Sequence, residues 1–586
     1  MTSSGPAAVA IVVVHGSATT GSDVVGIDVV VEVEVVSGAA VRGGSWLHPR
    51  SAKASTAAVQ AAKDRSGRVP ARRITPIRPC RTLPRYGLPP VERPQGVRRA
   101  AVASAPMSAL PTSPVRVRFA PSPTGYLHLG SARTALFNWL WVQHLRGIGL
   151  EAEMLLRIED TDRERSQPEL TEVIFESLRW LGIAHDGEPT HQSDRADRHD
   201  AAVEQLLASG RAYRCDCTQE QVTERHAAAG AGGSGYDRHC RDRQVPASAI
   251  HVVRFRVPDE GSTSWVDLIR GRISFEHASL EDFVLRRSDG TSVFLVANSV
   301  DDAQMRITHV IRGEDLINAT PKMLLIRGAL GYDEPIEFAH LPLIVNEARK
   351  KLSKRRDDVS VDSYRQRGFL PEAMVNYLAL LGWGPPDGVE VRPLAEIVEL
   401  FDIGDVNPSP AMFDVAKLES VNGDYLRAMT PAEFARAAMP YVQEADWYDP
   451  ASFDPTAFEA IAPELQPRAK VLADVPAQVD FLFRPRPEVD PDSWASAVTG
   501  NADAAKILTA TIDALSAVDA NEWGAETLHG IVGGLAEGMG LKLGKFQAPV
   551  RVAVTGRRVG PPLFESIALL GPERTLERLR EALAAC

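Results

Sequence analysis

Beyond residue 114, apolar and polar positions alternate with two different periods. Val115–Phe119 reads Val-Arg-Val-Arg-Phe, the period-2 pattern of a strand. The rigid polar run Pro-Ser-Pro-Thr-Gly at 121–125 stops it. Ala132, Ala135, Leu136, Trp139 and Leu140 then recur at helical spacing. Strand, Gly/Pro turn and helix in that order predict the first unit of a parallel α/β sheet. Residues 155–158 predict a second strand running into an acidic turn. Asp160 and Asp162 there are expected to cap a helix over 168–181. Asp289-Gly290 predicts a turn, 293–297 a strand and 308–312 another. From about residue 427 the period is mainly helical, with Pro and Asp breaks. It closes in an amphipathic stretch over 575–584. The expected class is α/β followed by a mainly α-helical region.

Residues 1–113 follow neither pattern. The run 27–36 is valine-rich with Glu32 and Glu34 interspersed. Residues 1–41 carry four acids and no Lys or Arg, whereas 42–99 carry fourteen Lys or Arg against Asp64 and Glu92. Residues 7–14 are apolar, but no positive charge precedes them, which argues against a secretory signal. The acidic first half argues against a transit peptide. Few aromatics and many Pro, Gly, Ser and Arg predict a disordered extension. Met107 stands just ahead of the first strand. Removing residues 1–106 is therefore expected to leave activity intact.

Charge sharpens that division. The chain of 586 residues has a net charge of −11. Residues 1–113 hold +8 of it, fourteen basic against six acidic, so the remainder stands at −19. A uniformly basic nucleic-acid coat is excluded, and a basic groove would have to be local. The length suggests three to five domains. No apolar run reaches the roughly 18 residues that a membrane span requires. Cys215, Cys217 and Cys240 fall within 26 residues, a spacing that points to metal rather than disulfides.

Two segments carry candidate chemistry. The helix beginning near His128, Gly130 and Ser131 would aim unpaired amides and a positive dipole at an anion, and Gly130 would let a nucleotide approach closely. Lys350-Lys-Leu-Ser-Lys-Arg355 is a basic loop that could neutralise phosphate oxygens. No Ser/His/Asp triad is evident.

The string Arg118-Phe-Ala-Pro-Ser-Pro-Thr-Gly-Tyr-Leu-His-Leu-Gly-Ser131 resembles the first signature of class I aminoacyl-tRNA synthetases, in its glutamyl form. Lys350–Arg355 is similar to that family's Lys-Met-Ser-Lys-Ser loop and stands in the same relation to the first signature. Ser131 departs mildly from the second signature His. Ala120-Pro-Ser-Pro, where glutaminyl enzymes usually read Pro-Pro-Glu-Pro, favours glutamate over glutamine.

The resemblance implies a Rossmann-like catalytic domain in two halves, 114–210 and 286–340. An acceptor-binding domain would be inserted at 211–285. A signature-loop and stem-contact domain would span 341–426, and a helical anticodon-binding region 427–586. It implies an ATP- and Mg²⁺-dependent ligase that joins L-glutamate to tRNA(Glu) through glutamyl-adenylate, with tRNA(Gln) a further candidate partner. His128, Lys351 and Lys354 would be catalytic, with Gly130, Ser131 and Ser353 also at ATP. Arg118, Ser122, Glu159, Phe294, Asn298 and Arg312 would hold glutamate. Two arginines suit a ligand with two carboxylates. The family commonly carries Tyr where this chain has Phe294, and a lost hydrogen bond to a charged group costs roughly 1.5–3 kcal/mol. A zinc site would use Cys215, Cys217 and Cys240, with Tyr236 the first candidate for the fourth ligand and His239 and Asp242 behind it. Arg551, Arg557 and Arg558 would meet RNA phosphates or form a solvated basic face. A cytoplasmic monomer with no membrane partner is implied. Two alternatives are a glutamyl-queuosine tRNA synthetase and a catalytically inactive RNA-binding paralogue. The roughly 230 residues beyond Arg355 argue against the first, and intact His128, Lys351 and Lys354 against the second.

Overall fold

The computed structural model describes the backbone of residues 13–15 and 30–32, and residues 111, 114–161, 167–228, 235–352 and 359–586. The chain divides into two compact units, Met1–Val102 and Ala103–Cys586. In the first, β1 (Val13–His15) and β2 (Val30–Glu32) pair antiparallel, and the valine-rich register supplies that pair. The expected disorder of residues 1–113 otherwise falls outside the described residues, as do Asp162, Ser353 and Lys354.

The second unit is built on a parallel sheet. β3 (Val115–Phe119) pairs in parallel with β4 (Ala152–Ile158), and β4 with β5 (Thr190–His191). β3 has the bounds that its alternation predicts, and Val115 and Val117 are buried. On its other side lies β11 (His309–Gly313), joined where Thr308 N donates to Arg116 O at 2.9 Å and Arg116 N to Thr308 Oγ1 at 2.8 Å. β11 pairs in parallel with β12 (Glu337–Leu341). The spatial order β5-β4-β3-β11-β12 reverses direction between β3 and β11. In doubly wound sheets, that reversal opens a crevice at the strands' carboxyl ends.

The helix Leu129–Gly147 follows β3 and buries Leu136, Leu140 and Trp141 against the sheet. Arg133 on its first turn donates to the carbonyls of Leu381 and Pro342, tying it to the following helical layer. The stretch expected as a strand at 293–297 is instead the start of a helix, Phe294–Gln304. A short apolar run does not distinguish strand from helix; the inward positions Asn298, Asp301 and Asp302 show the helical spacing. The helix Pro168–Trp180 forms, but its N-cap is Gln167 without a side-chain bond. Asp160 does not cap it: its carboxylate accepts from Ser193 N, Ser193 Oγ and His191 Nδ1 at 2.8–3.0 Å.

Between the two halves of the sheet, β6 (Ala212–Cys215), β7 (Val252–Phe255) and β10 (Val284–Arg286) form a small antiparallel sheet in the order β10-β7-β6. The hairpin β8 (Ser262–Asp267) and β9 (Gly271–Glu276) belongs elsewhere, because β8 pairs in parallel with β12.

After residue 359 the described chain is largely helical. Gly368 has φ +83°, and a Cβ there would collide with the backbone of Leu472 and Ala473. Leu472 N donates to Gly368 O at 3.0 Å, which fastens the catalytic part to the helical region. The amphipathic C-terminal stretch is the helix Pro572–Ala584, with Leu579 and Ala582 fully buried. Arg551 and Arg557 do not form an open basic face: Arg551 donates to Pro561 O at 2.6 Å, and Arg557 pairs with the buried Asp480 at 2.9 Å. Arg558 is exposed. No helix among the described residues is long and apolar enough to cross a membrane.

Candidate active site

The crevice at the β3/β11 reversal holds a cavity of about 550 Å³. Every described residue that the sequence nominated for ATP or glutamate lines it: Arg118, Ser122, His128, Gly130, Ser131, Glu159, Phe294, Asn298, Arg312 and Lys351.

Two strand ends supply the arginines. Arg118 lies near the end of β3 and Arg312 near the end of β11; they are 3% and 4% exposed. Arg118 Nε bonds to Asp302 Oδ1 at 3.1 Å, and no hydrogen bond to a described residue engages its two Nη groups. Burial with neighbouring Arg118 pulls the Arg312 guanidinium down to about 10.

Asp302 is fully buried and also accepts from Arg157 Nη1 at 2.5 Å. Burial alone would push its carboxyl up, but Arg118 and Arg157 prevail and hold it at about 2. Arg157 reaches Asn298 Oδ1 at 2.8 Å and Glu159 Oε1 at 3.5 Å through Nη2. Burial raises the Glu159 carboxyl above its usual range, against the pull of Arg157 and Arg118. Arg157 and Asp302 escaped the sequence reading, although an Arg inside the apolar run Met-Leu-Leu-Arg-Ile was a signal of a paired buried charge.

The first signature caps its own helix. His128 Nδ1 accepts from Gly130 N at 3.1 Å, so a neutral ring carries its proton on Nε2. At Gly130 an added Cβ would meet only the His128 ring, at 3.4 Å. The second signature returns to the same place. Leu129 N donates to Val359 O at 2.8 Å and Val361 N to Leu127 O at 3.0 Å, so the chain leaving the basic loop pairs with the first signature. Lys351 is exposed, and its Nζ lies 3.0 Å from Asp315 Oδ2 at the cavity edge. Phe294, at the first turn of its helix, is 38% exposed.

Away from the cavity, the thiols of Cys215, Cys217 and Cys240 lie within 4.8 Å of one another. Tyr236 is buried beside them, its hydroxyl 3.2 Å from Cys215 Sγ and accepting from Cys240 N at 2.9 Å. Arg225 and Arg243 lie 3.4 and 3.2 Å from Cys217 and Cys240 Sγ, and burial pushes the Cys240 thiol up to about 12. Asp242 turns to Arg256 at 3.0 Å and His239 is exposed, so neither joins the cluster.

A doubly wound sheet whose switch point gathers a helix N-terminus, its His128 cap and Lys351 around one cavity is the arrangement of a class I aminoacyl-tRNA synthetase. The model of the class I tRNA synthetase (E and Q) catalytic domain matches residues 114–420, and an anticodon-binding domain matches 433–583. The glutamate–tRNA ligase of Frankia casuarinae is 52% identical over 472 residues, covering 80% of this chain and 97% of the relative. That of Thermobifida fusca is 51% identical over 478 residues, with the same coverage. The crystal structure of a glutamate tRNA ligase from Elizabethkingia meningosepticum in complex with its amino acid superposes with a TM-score of 0.67 at 31% identity. It covers 80% of this chain and 99% of that one. The chain belongs to the glutamate–tRNA ligase family of class I synthetases. It is a ligase that attaches glutamate to tRNA at the expense of ATP, which this class uses with Mg²⁺.

Proposed function

We propose that the β3/β11 cavity activates glutamate by the following division of labour. The observation that carries it is the convergence of two buried arginines from adjacent strand ends with His128 and Lys351 in one cavity. Arg118 and Arg312 take the two carboxylates of glutamate, as guanidiniums pair such groups well. Glu159 and Asn298 receive the ammonium group, with Ser122 and Phe294 completing the wall. ATP lies over the N-terminus of Leu129–Gly147, with Gly130 and Ser131 beneath the nucleotide. His128 donates from Nε2 to phosphate oxygens.

The α-carboxylate oxygen attacks the α-phosphorus, and the bond to the β-phosphate oxygen breaks. The products are glutamyl-adenylate and pyrophosphate. Lys351 and Lys354, with Ser353 beside them, neutralise the charge on the departing pyrophosphate. Mg²⁺, when bound with ATP, would shield the phosphate oxygens. A ribose hydroxyl at the tRNA 3′ end then attacks the acyl carbon, and AMP leaves. Positioning and charge stabilisation are sufficient, with no protein nucleophile.

Glutamate-dependent ATP–pyrophosphate exchange tests this. In the resembling family, exchange by the glutamyl enzyme requires tRNA, whereas the queuosine enzyme exchanges without it. Exchange here should appear only with tRNA, and Lys351→Ala and Lys354→Ala should each reduce it at least tenfold. Near-normal exchange in both variants would defeat the pyrophosphate role.

The domain assignment follows the same reading. Residues 114–210 and 286–340 form the catalytic domain, 341–426 the stem-contact domain and 427–586 the anticodon-binding region. Residues 211–285, apart from the β8–β9 hairpin that joins the catalytic sheet, carry the acceptor end of tRNA, and Cys215, Cys217, Cys240 and Tyr236 would hold a structural zinc ion. Three thiols and a phenol supply the four donors of a tetrahedral site. The enzyme acts as a cytoplasmic monomer. Charging of purified tRNA(Glu) and tRNA(Gln), each alone, tells whether it serves both.

A further inference from the structure

His340 and Arg312 face each other across the β11–β12 pairing. His340 is fully buried, and its two ring nitrogens meet opposite partners. Nδ1 lies 2.5 Å from Asp267 Oδ2, at the end of β8. Nε2 lies 3.3 Å from Arg312 Nε and 3.1 Å from Thr320 Oγ1. A guanidinium only donates, so Nε2 must accept, and the ring proton must sit on Nδ1 facing the carboxylate. The other Asp267 oxygen, Oδ1, accepts from the backbone N–H groups of His340, Ile269 and Arg270 at 3.1–3.2 Å. The carboxylate therefore cannot rotate away without breaking three bonds.

Arg312 is held on two further sides, which leaves one N–H of Nη1 to face the cavity. Nη2 donates to Thr320 Oγ1 at 2.8 Å, and Nη1 meets Met323 Sδ at 3.2 Å. The wall of Trp265 and Phe338 closes over His340, with the Phe338 ring stacked at 6.0 Å and 7°. The charged groups facing the ring are Asp267, Arg312 and Arg270, whose Nε donates to His340 O. Burial, opposed by Asp267 and aided by Arg312 and Arg270, keeps the imidazole neutral.

We infer that Asp267 and His340 are positioning residues for substrate recognition: Asp267 sets the His340 tautomer whose Nε2 fixes the Arg312 guanidinium against the substrate carboxylate. This rests on the reading of Arg312 as a carboxylate ligand. The logic is that of a carboxylate–imidazole pair whose value lies in the tautomer it imposes.

Asp267→Asn tests it in the full-length chain with tRNA present. The amide oxygen can keep the three backbone bonds, while its NH₂ group faces Nδ1 and demands the opposite tautomer. Nε2–H then points at Arg312. Glutamate KM in ATP–pyrophosphate exchange should rise at least tenfold, with ATP KM within twofold and the melting temperature near that of the parent. His340→Gln, whose amide presents a donor and an acceptor, should stay within threefold. A glutamate KM for Asp267→Asn within twofold of the parent overturns the relay, provided that Arg312→Lys in parallel raises it. If Arg312→Lys leaves KM unchanged as well, it is the assignment of Arg312 that fails. Should Asp267→Asn not accumulate folded, His340→Leu takes its place. A tenfold higher KM for His340→Leu than for His340→Gln then supports the relay, and equal values overturn it.

Discussion

Arg118 Nε meets Asp302 Oδ1 at 3.1 Å across 184 positions of sequence, and the same oxygen takes Arg157 Nη1. One carboxylate thus holds two buried guanidiniums. Asp302→Asn would leave Arg118 without its hydrogen-bonded counter-charge and Arg157 with Glu159 at 3.5 Å, and breaking a buried pair costs about 3–5 kcal/mol. We expect a correspondingly lower urea midpoint at pH 7. The pH dependence has a definite sign. The Asp302 carboxyl is held at about 2 in the folded chain against an ordinary 3.8. Its contribution, about 2 kcal/mol, is present above pH 4 and is lost as pH falls towards 2. The stability gap between parent and variant should therefore narrow on acidification. A gap that stayed constant from pH 6 to pH 3 would refute this account.

Phe294→Tyr should tighten glutamate binding. Phe294 lines the cavity at the first turn of its helix and is 38% exposed, so a hydroxyl can be added without burying it unpaired. A hydrogen bond to a charged ligand group contributes roughly 1.5–3 kcal/mol, which corresponds to a glutamate KM about tenfold lower or better. An unchanged KM would show that the hydroxyl has no partner in this cavity.

Elemental analysis should find about one zinc per folded chain. Cys240→Ser should lower the metal content below about 0.2 per chain and loosen the 211–285 segment to protease. A parent protein already below that level would exclude the site. The cluster would then be three reduced thiols packed with Tyr236.

A chain started at Met107 should fold and charge tRNA with kcat/KM within twofold of the full-length protein. The catalytic-domain match starts at residue 114, and the second compact unit starts at Ala103. Insoluble or inactive truncated protein would assign residues 1–106 a necessary role.

Elements with one clear rhythm were legible in the sequence. Val115–Phe119 alternates cleanly and forms β3 at those bounds, and the 575–584 stripe lies within the last helix. Residues 293–297 were misread because five mostly apolar residues satisfy either period; the deciding signal lay downstream, in Asn298, Asp301 and Asp302. In the site, the residues of the two signature strings, and Arg312 outside them, could be nominated from the family resemblance. His128, Lys351, Arg118 and Arg312 do converge on one cavity. The groups behind them were not nominated, although Arg157 in its apolar run signalled a buried charge. Arg157, His340 and Asp267 sit in strands, where a polar residue reads as an outward position until its partner on a distant strand is known. Asp160 shows the converse: it looked like a helix cap and instead fastens Ser193 and His191.

The two arginines shared by Asp302 bear on fidelity. Arg118 and Arg312 line the cavity and Arg157 is buried behind its wall; against these three positive charges the chain sets the buried Asp302 and the partly buried Glu159. With the ammonium of the ligand placed at Glu159, its two carboxylates complete the balance. Glutamine is nearly the same shape but offers an amide where the second negative charge belongs, leaving a desolvated guanidinium facing a dipole. A site built around a specific polar partner rejects an analogue lacking it by several orders of magnitude. On this reading, discrimination is made at the first encounter, and a separate proofreading site for glutamine would have nothing left to remove.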